Sequence, residues 1–424
     1  MHLKELKNIK DNKTLINGAL FSIYAFIGRG IGFLILIVLA NYIPPSDYGT
    51  LSLFNTVVML MGFFVSFSTY GYAGISFFKE TKEIFHRDFT VIFIYLLLSV
   101  ILISIILLLS HSKISQIVGI ESRLLWVALV VASLNVFFQL HTDYYRMREK
   151  VGRYGMMNVG NALLNALMTL VLVVYFAQGW MGRVNAQLFV TFIFGVFSLL
   201  YFVYYRFFDF HFSKDRMKLI LIWGLPQIPH LATNWIRQGC DQYIINYNYS
   251  TNEVGLFSFA LNLVSILTMI GMAFNSSNSV SIFKILADKN ICEKRLLLQK
   301  NMRNIFYIYI VAAIVVCFMS FILVPIVLPK YVGSLQYFFI LIMYGFMMCM
   351  YLLYCNYLFY YGYTKQLMYI TFGSSLIHLC LSLLLTHFSL YFTAIIYVVS
   401  QSLCVCLVYR LSNKVLNKEL VSIS

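Results

Sequence analysis

Residues Leu219 to Ala260 read LILIWGLPQIPHLATNWIRQGCDQYIINYNYSTNEVGLFSFA, and this stretch decides the fold of the chain. It is apolar enough to enter a lipid bilayer, yet it carries polar and charged side chains that a bilayer penalises. If Leu219 to Asn246 is mostly helical, a stripe on one face holds His230, Asn234, Arg237 and Asp241, at i, i+4, i+7 and i+11. Ionisable groups at membrane depth normally face protein or water, so the stripe predicts a polar substrate-binding lining.

Two prolines, Pro226 and Pro229, lie at the start of this stripe. Each removes a backbone donor and crowds the preceding turn, which predicts a kinked or broken helix and a hinge at this position. A broken helix beside buried charge is typical of transporters.

Five short motifs in the same stretch carry a resemblance to a known family. They are Gly224-Leu225-Pro226, Pro229-His230, Asn234-Trp235, Asp241, and Glu253-Val254-Gly255-Leu256-Phe257-Ser258. Together they resemble the seventh and eighth helices of the O-antigen flippases, which are the Wzx-type exporters of the multidrug/oligosaccharidyl-lipid/polysaccharide superfamily. One departure from that pattern is Gln242, since the resemblance implies a basic residue directly after the aspartate.

The composition of the whole chain supports a membrane protein. The 424 residues are 61% hydrophobic and 11% charged, whereas about a quarter of the residues of a soluble globular protein are charged. We therefore expect an all-α polytopic membrane protein. Twelve apolar runs of sufficient length fall at Thr14–Tyr42, Tyr48–Tyr70, Asp88–Ser110, Arg123–Thr142, Tyr154–Gln178, Val184–Tyr205, Leu219–Asn246, Val254–Ile285, Ile305–Leu328, Leu335–Tyr361, Gln366–His387 and Leu390–Leu411.

The distribution of the basic residues predicts the orientation of these spans. With the N-terminus inside, 25 of the 31 basic residues fall in cytoplasmic segments and four in outer loops. Under the positive-inside rule this places both termini in the cytoplasm. The net charge of +15 is thus largely a topology signal, favourable to anionic membrane lipid, and the loops are too short for a nucleic-acid-binding domain.

A weak internal repeat divides the chain into two halves. The pattern acid-x-Gly-x-x-Ser-x occurs at Asp47–Leu53 and again at Glu253–Phe259, and Arg29 and Arg237 then occupy nearly equivalent places in the first helix of each half. We predict two six-helix bundles, residues 1–216 and 217–424, around a central cavity that binds substrate near mid-membrane.

Arg29 is the second candidate ligand of that cavity. Gly18, Ser22, Ala25 and Gly32 share its helix face, and such a face of small residues lets a neighbouring helix approach closely and would turn Arg29 inward. The alternative is a structural arginine that donates to a helix carbonyl.

Arg237 and Asp241 have two interpretations as well. Spaced at i and i+4, they are able to neutralise one another in a structural pair. In the functional interpretation, a ligand phosphate competes for the guanidinium, and Asp241 or His230 takes up a proton or cation that links transport to an ion gradient.

The sequence contains no residue motif that is typical of an enzyme active site. It contains no P-loop pattern and no C-x-x-C pair, so we predict no catalytic residues, no metal site and no cofactor. The cysteines lie mostly in apolar segments and are expected to be free.

The resemblance implies a flippase that moves an undecaprenyl-pyrophosphate-linked oligosaccharide from the inner to the outer leaflet of a bacterial inner membrane. By the same resemblance it would work by alternating access, with a polysaccharide polymerase complex as a candidate partner. The alternatives are a cation-coupled multidrug exporter of the same superfamily, for which more acidic helices are expected, and a non-transport assembly partner of a polysaccharide synthesis complex.

Overall fold

The computed structural model describes residues 2–66, 69–211, 213–224, 232–233, 235–287 and 291–421. Over these ranges the chain is almost entirely helical, which confirms the predicted all-α class. The α-helices, numbered α1 to α14 in chain order, are His2–Tyr42, Pro45–Ser66, Tyr72–Lys79, Lys82–Val118, Ser122–Met147, Val151–Leu170, Gly179–Tyr204, Lys214–Gly224, Asp241–Asn248, Thr251–Ala287, Ile291–Val327, Leu335–Tyr360, Thr364–Leu385 and Leu390–Val421.

Short π-helices and 3-10 helices adjoin some of these α-helices. α6 continues into a π-helix at Val171–Tyr175, and a second π-helix, Ile236–Cys240, leads directly into α9. A 3-10 helix, Pro329–Ser334, precedes α12. π-Turns widen a helix locally and are frequent at functional sites. The π-helix that contains Arg237 is therefore a candidate functional region.

Eleven helical segments of the described residues are long and apolar enough to cross a membrane. They correspond to all the predicted spans except the seventh, Leu219–Asn246, part of which lies outside the described residues. The lipid-facing character of these helices is plain in α4, where Leu108 and Leu109 are 67% and 80% exposed although the segment is strongly apolar. Such apolar surface needs a hydrocarbon environment to cover it.

The chain forms two compact units. Unit 1 holds Met1–Ile43 and Leu53–Leu231, and unit 2 holds Pro44–Ser52 and Ala232–Ser424. The first turns of α2 therefore belong to unit 2, whereas the rest of that helix belongs to unit 1. The domain boundary between residues 216 and 217, and the central cavity between two bundles, stay predictions.

Helix contacts in unit 1 depend on glycines that allow close approach. A methyl group placed on Gly195 of α7 would lie 2.7 Å from Cβ of Leu134 in α5, and one placed on Gly155 of α6 would meet the ring of Tyr24. Small residues at such contacts let helix backbones approach closely in a membrane.

The prediction that the face of α1 with Gly18 and Gly32 packs closely on a neighbouring helix is wrong. Added methyl groups on Gly18 and Gly32 would meet nothing within 4 Å, whereas one on Gly28 would lie 3.6 Å from the carbonyl oxygen of Asn158. The helix thus packs on α6 through a neighbouring face, and Arg29 is exposed rather than buried in a helix contact.

Unit 2 is built around α10, α12 and α14. A methyl group on Gly345 of α12 would lie 2.6 Å from Val264 of α10, and one on Gly271 would lie 2.5 Å from Sγ of Cys349. The free thiols of Cys349, Cys355 and Cys404 are buried in this unit and serve as small apolar groups.

Candidate functional site

The guanidinium of Arg237 lies in the buried core of unit 2. Nη1 donates to Oε1 of Gln401 in α14, and Nη2 donates to Oγ of Ser374 in α13. The residue is 8% exposed, and its Nε has no hydrogen-bond partner among the described residues. Both hydrogen-bond partners are neutral, and Arg237 forms no salt bridge with a carboxylate of the described residues, Asp241 being bonded to His378 instead.

Asp241 is completely buried one turn further along the same helix. Its Oδ2 lies 2.7 Å from Nε2 of His378, and its Oδ1 accepts a hydrogen bond from Ser382; both partners are in α13. Nδ1 of His378 lies 2.9 Å from Oγ of Ser400 in α14, which orients the imidazole towards the carboxylate.

These contacts decide between the two interpretations of Arg237 and Asp241. Among the described residues the two side chains do not form an ion pair with each other; each bonds α13 instead. The π-turn at Ile236–Cys240 ends at Asp241, so the regular i, i+4 geometry that the sequence analysis assumed does not hold there. The interpretation in which Arg237 and Asp241 neutralise one another in a structural pair is therefore wrong. The ligand role of both residues stays a prediction.

A polar ladder on α13 escaped the sequence analysis. Ser374, His378, Ser382 and Thr386 recur every fourth residue and so line one face of the helix, parallel to Arg237 and Asp241. The ladder continues from Thr386 Oγ1 to Thr393 Oγ1 at 2.9 Å, and the Thr386 carbonyl accepts from the Tyr249 hydroxyl at 2.8 Å. The signal in the sequence was the four-residue spacing of His378 from Ser374 and Ser382, and of Ser382 from Thr386.

A cavity of about 200 Å³ lies in unit 2 beside this network. We call it the polar pocket; its lining residues are Ser52, Gln238, Gln242, Ser258, Leu261, Asn262, Val264, Ser265, Thr268, Tyr344, Met348 and Tyr397. Tyr397 joins the pocket to the charged network, because its ring packs edge-on against His378 with 4.7 Å between centroids. Gln242, the departure from the family pattern, accepts a hydrogen bond from Ser52 at 2.9 Å in this wall.

Unit 1 contains a second buried ionic cluster. Arg216 of α8 donates through Nε and Nη2 to the fully buried carboxylate of Asp88 in α4, and through Nη1 to Glu80 at 2.9 Å. Ser76 Oγ also bonds Asp88 at 2.5 Å. The hydrogen bond from Arg216 to Asp88 raises the pKa of the guanidinium, which keeps it charged. This cluster anchors α8 to unit 1.

A larger cavity of about 350 Å³ lies in unit 1. It is lined by the 3-10 turn Thr69–Gly71 and by residues of α3, α4 and α5. Its polar wall includes Gln139, Tyr70 and the ion pair between Asp143 and Arg146, which are 2.8 Å apart. Since Asp143 and Arg146 neutralise each other, this cavity offers no net charge to an ionic ligand.

The remaining predicted site residues have different outcomes. His230, Asn234, Pro226 and Pro229 lie outside the described residues. Arg29 lies in unit 1 near Tyr154 and is exposed, and its role as a ligand stays a prediction.

The fold defines an all-helical polytopic membrane protein. The fold resembles solved structures of multidrug resistance MATE family transporters of the MOP superfamily. An inward-facing conformation aligns with a TM-score of 0.72 at 13% identity, covering 96% of this chain and 95% of that one. An outward-facing conformation aligns with a TM-score of 0.58 at 14% identity, covering 96% and 97%.

Sequence comparison identifies the family. The model of the polysaccharide biosynthesis protein family matches residues 15–283, and the chain belongs to this family. A protein of the Lsg locus of Haemophilus influenzae is 23% identical over 416 residues, covering 97% of this chain and 99% of that protein. An uncharacterized membrane protein of the same organism is 21% identical over 276 residues, covering 61% and 65% of the two chains.

Proposed function

We propose that this protein is a flippase that translocates an undecaprenyl-pyrophosphate-linked O-antigen oligosaccharide, a lipopolysaccharide precursor, by alternating access. It would act in the bacterial inner membrane with both termini in the cytoplasm, without chemical catalysis, beside a polysaccharide polymerase complex. Membership of the polysaccharide biosynthesis protein family supports the substrate class.

The observation that carries the proposal is the uncompensated charge of Arg237. A guanidinium in a buried, low-dielectric environment is costly unless an anion or several hydrogen bonds stabilise it. Gln401 and Ser374 supply two neutral acceptors, and Nε is left without a partner among the described residues. A diphosphate is a suitable partner, because guanidinium binds phosphate oxygens through paired charge-assisted hydrogen bonds.

The coupling ion is proposed to act at Asp241. A carboxylate that is fully buried and bonded to an imidazole and a hydroxyl is able to exchange a proton or bind a small cation. The hydroxyls of Ser382, Thr386 and Thr393 extend from it in one chain of contacts, which would connect it to the end of α13.

The experiment is a complementation assay of surface polysaccharide in a strain that lacks this gene. Arg237→Ala and Arg29→Ala are each expected to abolish surface display while leaving the amount of protein in the membrane unchanged. Arg123→Ala is the control, because that side chain is 71% exposed and pairs loosely with Glu121. Normal display in the Arg237→Ala strain would contradict the role of Arg237 as the phosphate ligand.

A second candidate is a cation-coupled multidrug exporter, which the likeness to MATE transporters and the buried carboxylate of Asp241 favour. Efflux of ethidium from cells that overproduce the protein separates the two. Drug efflux that Asp241→Asn abolishes, together with normal polysaccharide display in a deletion strain, would support the exporter.

A further inference from the structure

The polar pocket in unit 2 has walls of a distinctive chemistry. Among the described residues that line it there is no aspartate, glutamate, lysine, arginine or histidine. The wall instead carries three side-chain amides, four aliphatic hydroxyls and two phenols, with Leu261, Val264 and Met348 as its apolar part. Such a wall does not favour an inorganic cation, which would bind carboxylates, or a phosphate, which would bind cationic groups.

The donors and acceptors of this wall are partly unused. Ser265 and Thr268 donate their hydroxyl hydrogens to carbonyls of their own helix, at 2.6 and 2.9 Å, so their oxygens remain as acceptors. Asn262 donates to Tyr48 at 2.7 Å, which leaves its Oδ1 as an acceptor. On the donor side, the amide of Gln238 makes no side-chain hydrogen bond with the described residues and is exposed.

Tyr397 brings a phenol hydroxyl of this wall next to the charged network. Its side chain is 1% exposed, and its hydroxyl lies close enough to the Asp241 carboxylate to interact with it.

We propose that the polar pocket binds one uncharged sugar ring. The hydroxyls of a sugar both donate and accept, and so match a wall of amides, hydroxyl oxygens and phenols. The volume of about 200 Å³ is below the roughly 300–1,000 Å³ typical of pockets for drug-sized molecules, which favours a single ring. The apolar side chains of the wall cover the carbon-bound face of the ring.

The position of the pocket connects this inference to the proposed function, on which it rests. Tyr344 of the pocket wall lies close enough to Arg237 to interact with its charge, and Tyr397 contacts His378 of the Asp241 network. A lipid-linked oligosaccharide with its diphosphate at Arg237 would therefore place the sugar nearest the diphosphate in the polar pocket. The pocket would then select the first sugar of the unit by its hydroxyl pattern.

The experiment measures binding of simple sugars to the purified full-length protein in lauryldimethylamine oxide, a detergent without a sugar headgroup. The probes are the methyl glycosides of glucose, galactose and N-acetylglucosamine, with methyl glucuronide and inorganic pyrophosphate as charged comparators. Because a ligand of the folded state raises the unfolding temperature, the readout is the midpoint of thermal unfolding over a concentration series.

Thr268→Val and Thr371→Val form a matched pair of variants. Both hydroxyls donate to a carbonyl three residues earlier in a helix of unit 2, but only Thr268 lines the pocket. We expect at least one neutral glycoside to stabilise the wild-type protein, and Thr268→Val to weaken that binding about fivefold, the worth of one net hydrogen bond. Thr371→Val should bind as the wild type does, and Tyr397→Phe should weaken binding like Thr268→Val.

Three results would overturn the proposal. They are no stabilisation by any neutral glycoside, equal binding by wild type and Thr268→Val, and stabilisation by pyrophosphate that Thr268→Val removes. Because the assay contains neither lipid nor transport, its failure would leave the flippase proposal intact. If the Arg237→Ala strain displays polysaccharide normally and the protein still binds sugars, only the flippase proposal is contradicted.

Discussion

Gly49 and Gly255 meet in a reciprocal contact in which each lies against the other's helix. A methyl group on Gly49 would be 1.9 Å from the carbonyl oxygen of Thr251, and one on Gly255 would be 1.8 Å from that of Pro45. One turn later, Ser52 Oγ and Ser258 Oγ are 3.0 Å apart, although the two residues are separated by 206 positions in the chain. The two motifs that suggested a repeat therefore pack against each other in a self-complementary contact like that of a symmetric dimer.

The first prediction concerns this contact. Gly255→Ala is expected to push α10 away from the start of α2, because a methyl group does not fit against a backbone oxygen at that distance. Overpacking of this kind typically costs about 1–3 kcal/mol. A Ser52→Cys, Ser258→Cys pair should form a disulfide readily on mild oxidation, and Gly255→Ala should slow it severalfold, as measured by peptide mapping.

Gly62→Ala is the control for that prediction. Gly62 lies in the same helix as Gly49, but an added methyl group there would meet nothing within 4 Å. Alanine should therefore be harmless or slightly stabilising, since glycine in a helix is about 1 kcal/mol less favourable than alanine. Equal crosslinking rates in the Gly62→Ala and Gly255→Ala backgrounds would refute the close packing.

The second prediction concerns the charge of Arg237. Gln401→Glu places a carboxylate of the same shape next to the guanidinium, which should then form a buried ion pair and lose its affinity for phosphate. We expect the protein to remain folded and surface polysaccharide to be lost. Gln401→Met, which removes the amide without adding charge, should retain at least part of the display. Normal display with Gln401→Glu would show that the charge of Arg237 is not used.

The third prediction concerns coupling through Asp241. In proteoliposomes, flipping of the lipid-linked oligosaccharide should be faster with an imposed proton or sodium gradient than without one. Asp241→Asn should abolish this acceleration but leave the slow exchange without a gradient, because asparagine keeps the hydrogen bond to Ser382 and loses the titratable charge. Thr371→Val should behave as wild type. Identical wild-type rates with and without both gradients would remove the coupling role.

The fourth prediction concerns stability in unit 1. Asp88→Asn removes the fully buried carboxylate from a cluster whose other charged members are partly exposed, and leaves Arg216 with Glu80 alone. Breaking a buried ion pair by removing one partner costs about 3–5 kcal/mol, so the unfolding midpoint should fall by several degrees. Glu121→Gln breaks an exposed pair with Arg123 and should change the midpoint little, as surface pairs are worth about 0–1 kcal/mol. Equal midpoints for the two variants would show that the cluster is not structural.

The sequence by itself determined the membrane class and the helical fold. Hydropathy and chain length suffice for the first two, because a span must be apolar over about twenty residues whatever its neighbours are. The sequence repeat also picked out Gly49 and Gly255, which the structure brings into contact, whereas the division into two repeated halves stays a prediction. Which face of α1 packs was beyond the sequence, since the choice between Gly28 and the stripe of Gly18 and Gly32 depends on the shape of α6.

The partners of the charged residues were decided by the tertiary structure alone. Local spacing suggested that Arg237 and Asp241 pair with one another, but a π-turn and the polar face of α13 offered each a better partner. Asp241 bonds His378, which is 137 residues away in the chain, and no local pattern encodes such a distance. A periodic pattern shows which residues share a helix face, whereas only the packing of helices shows which face lies opposite.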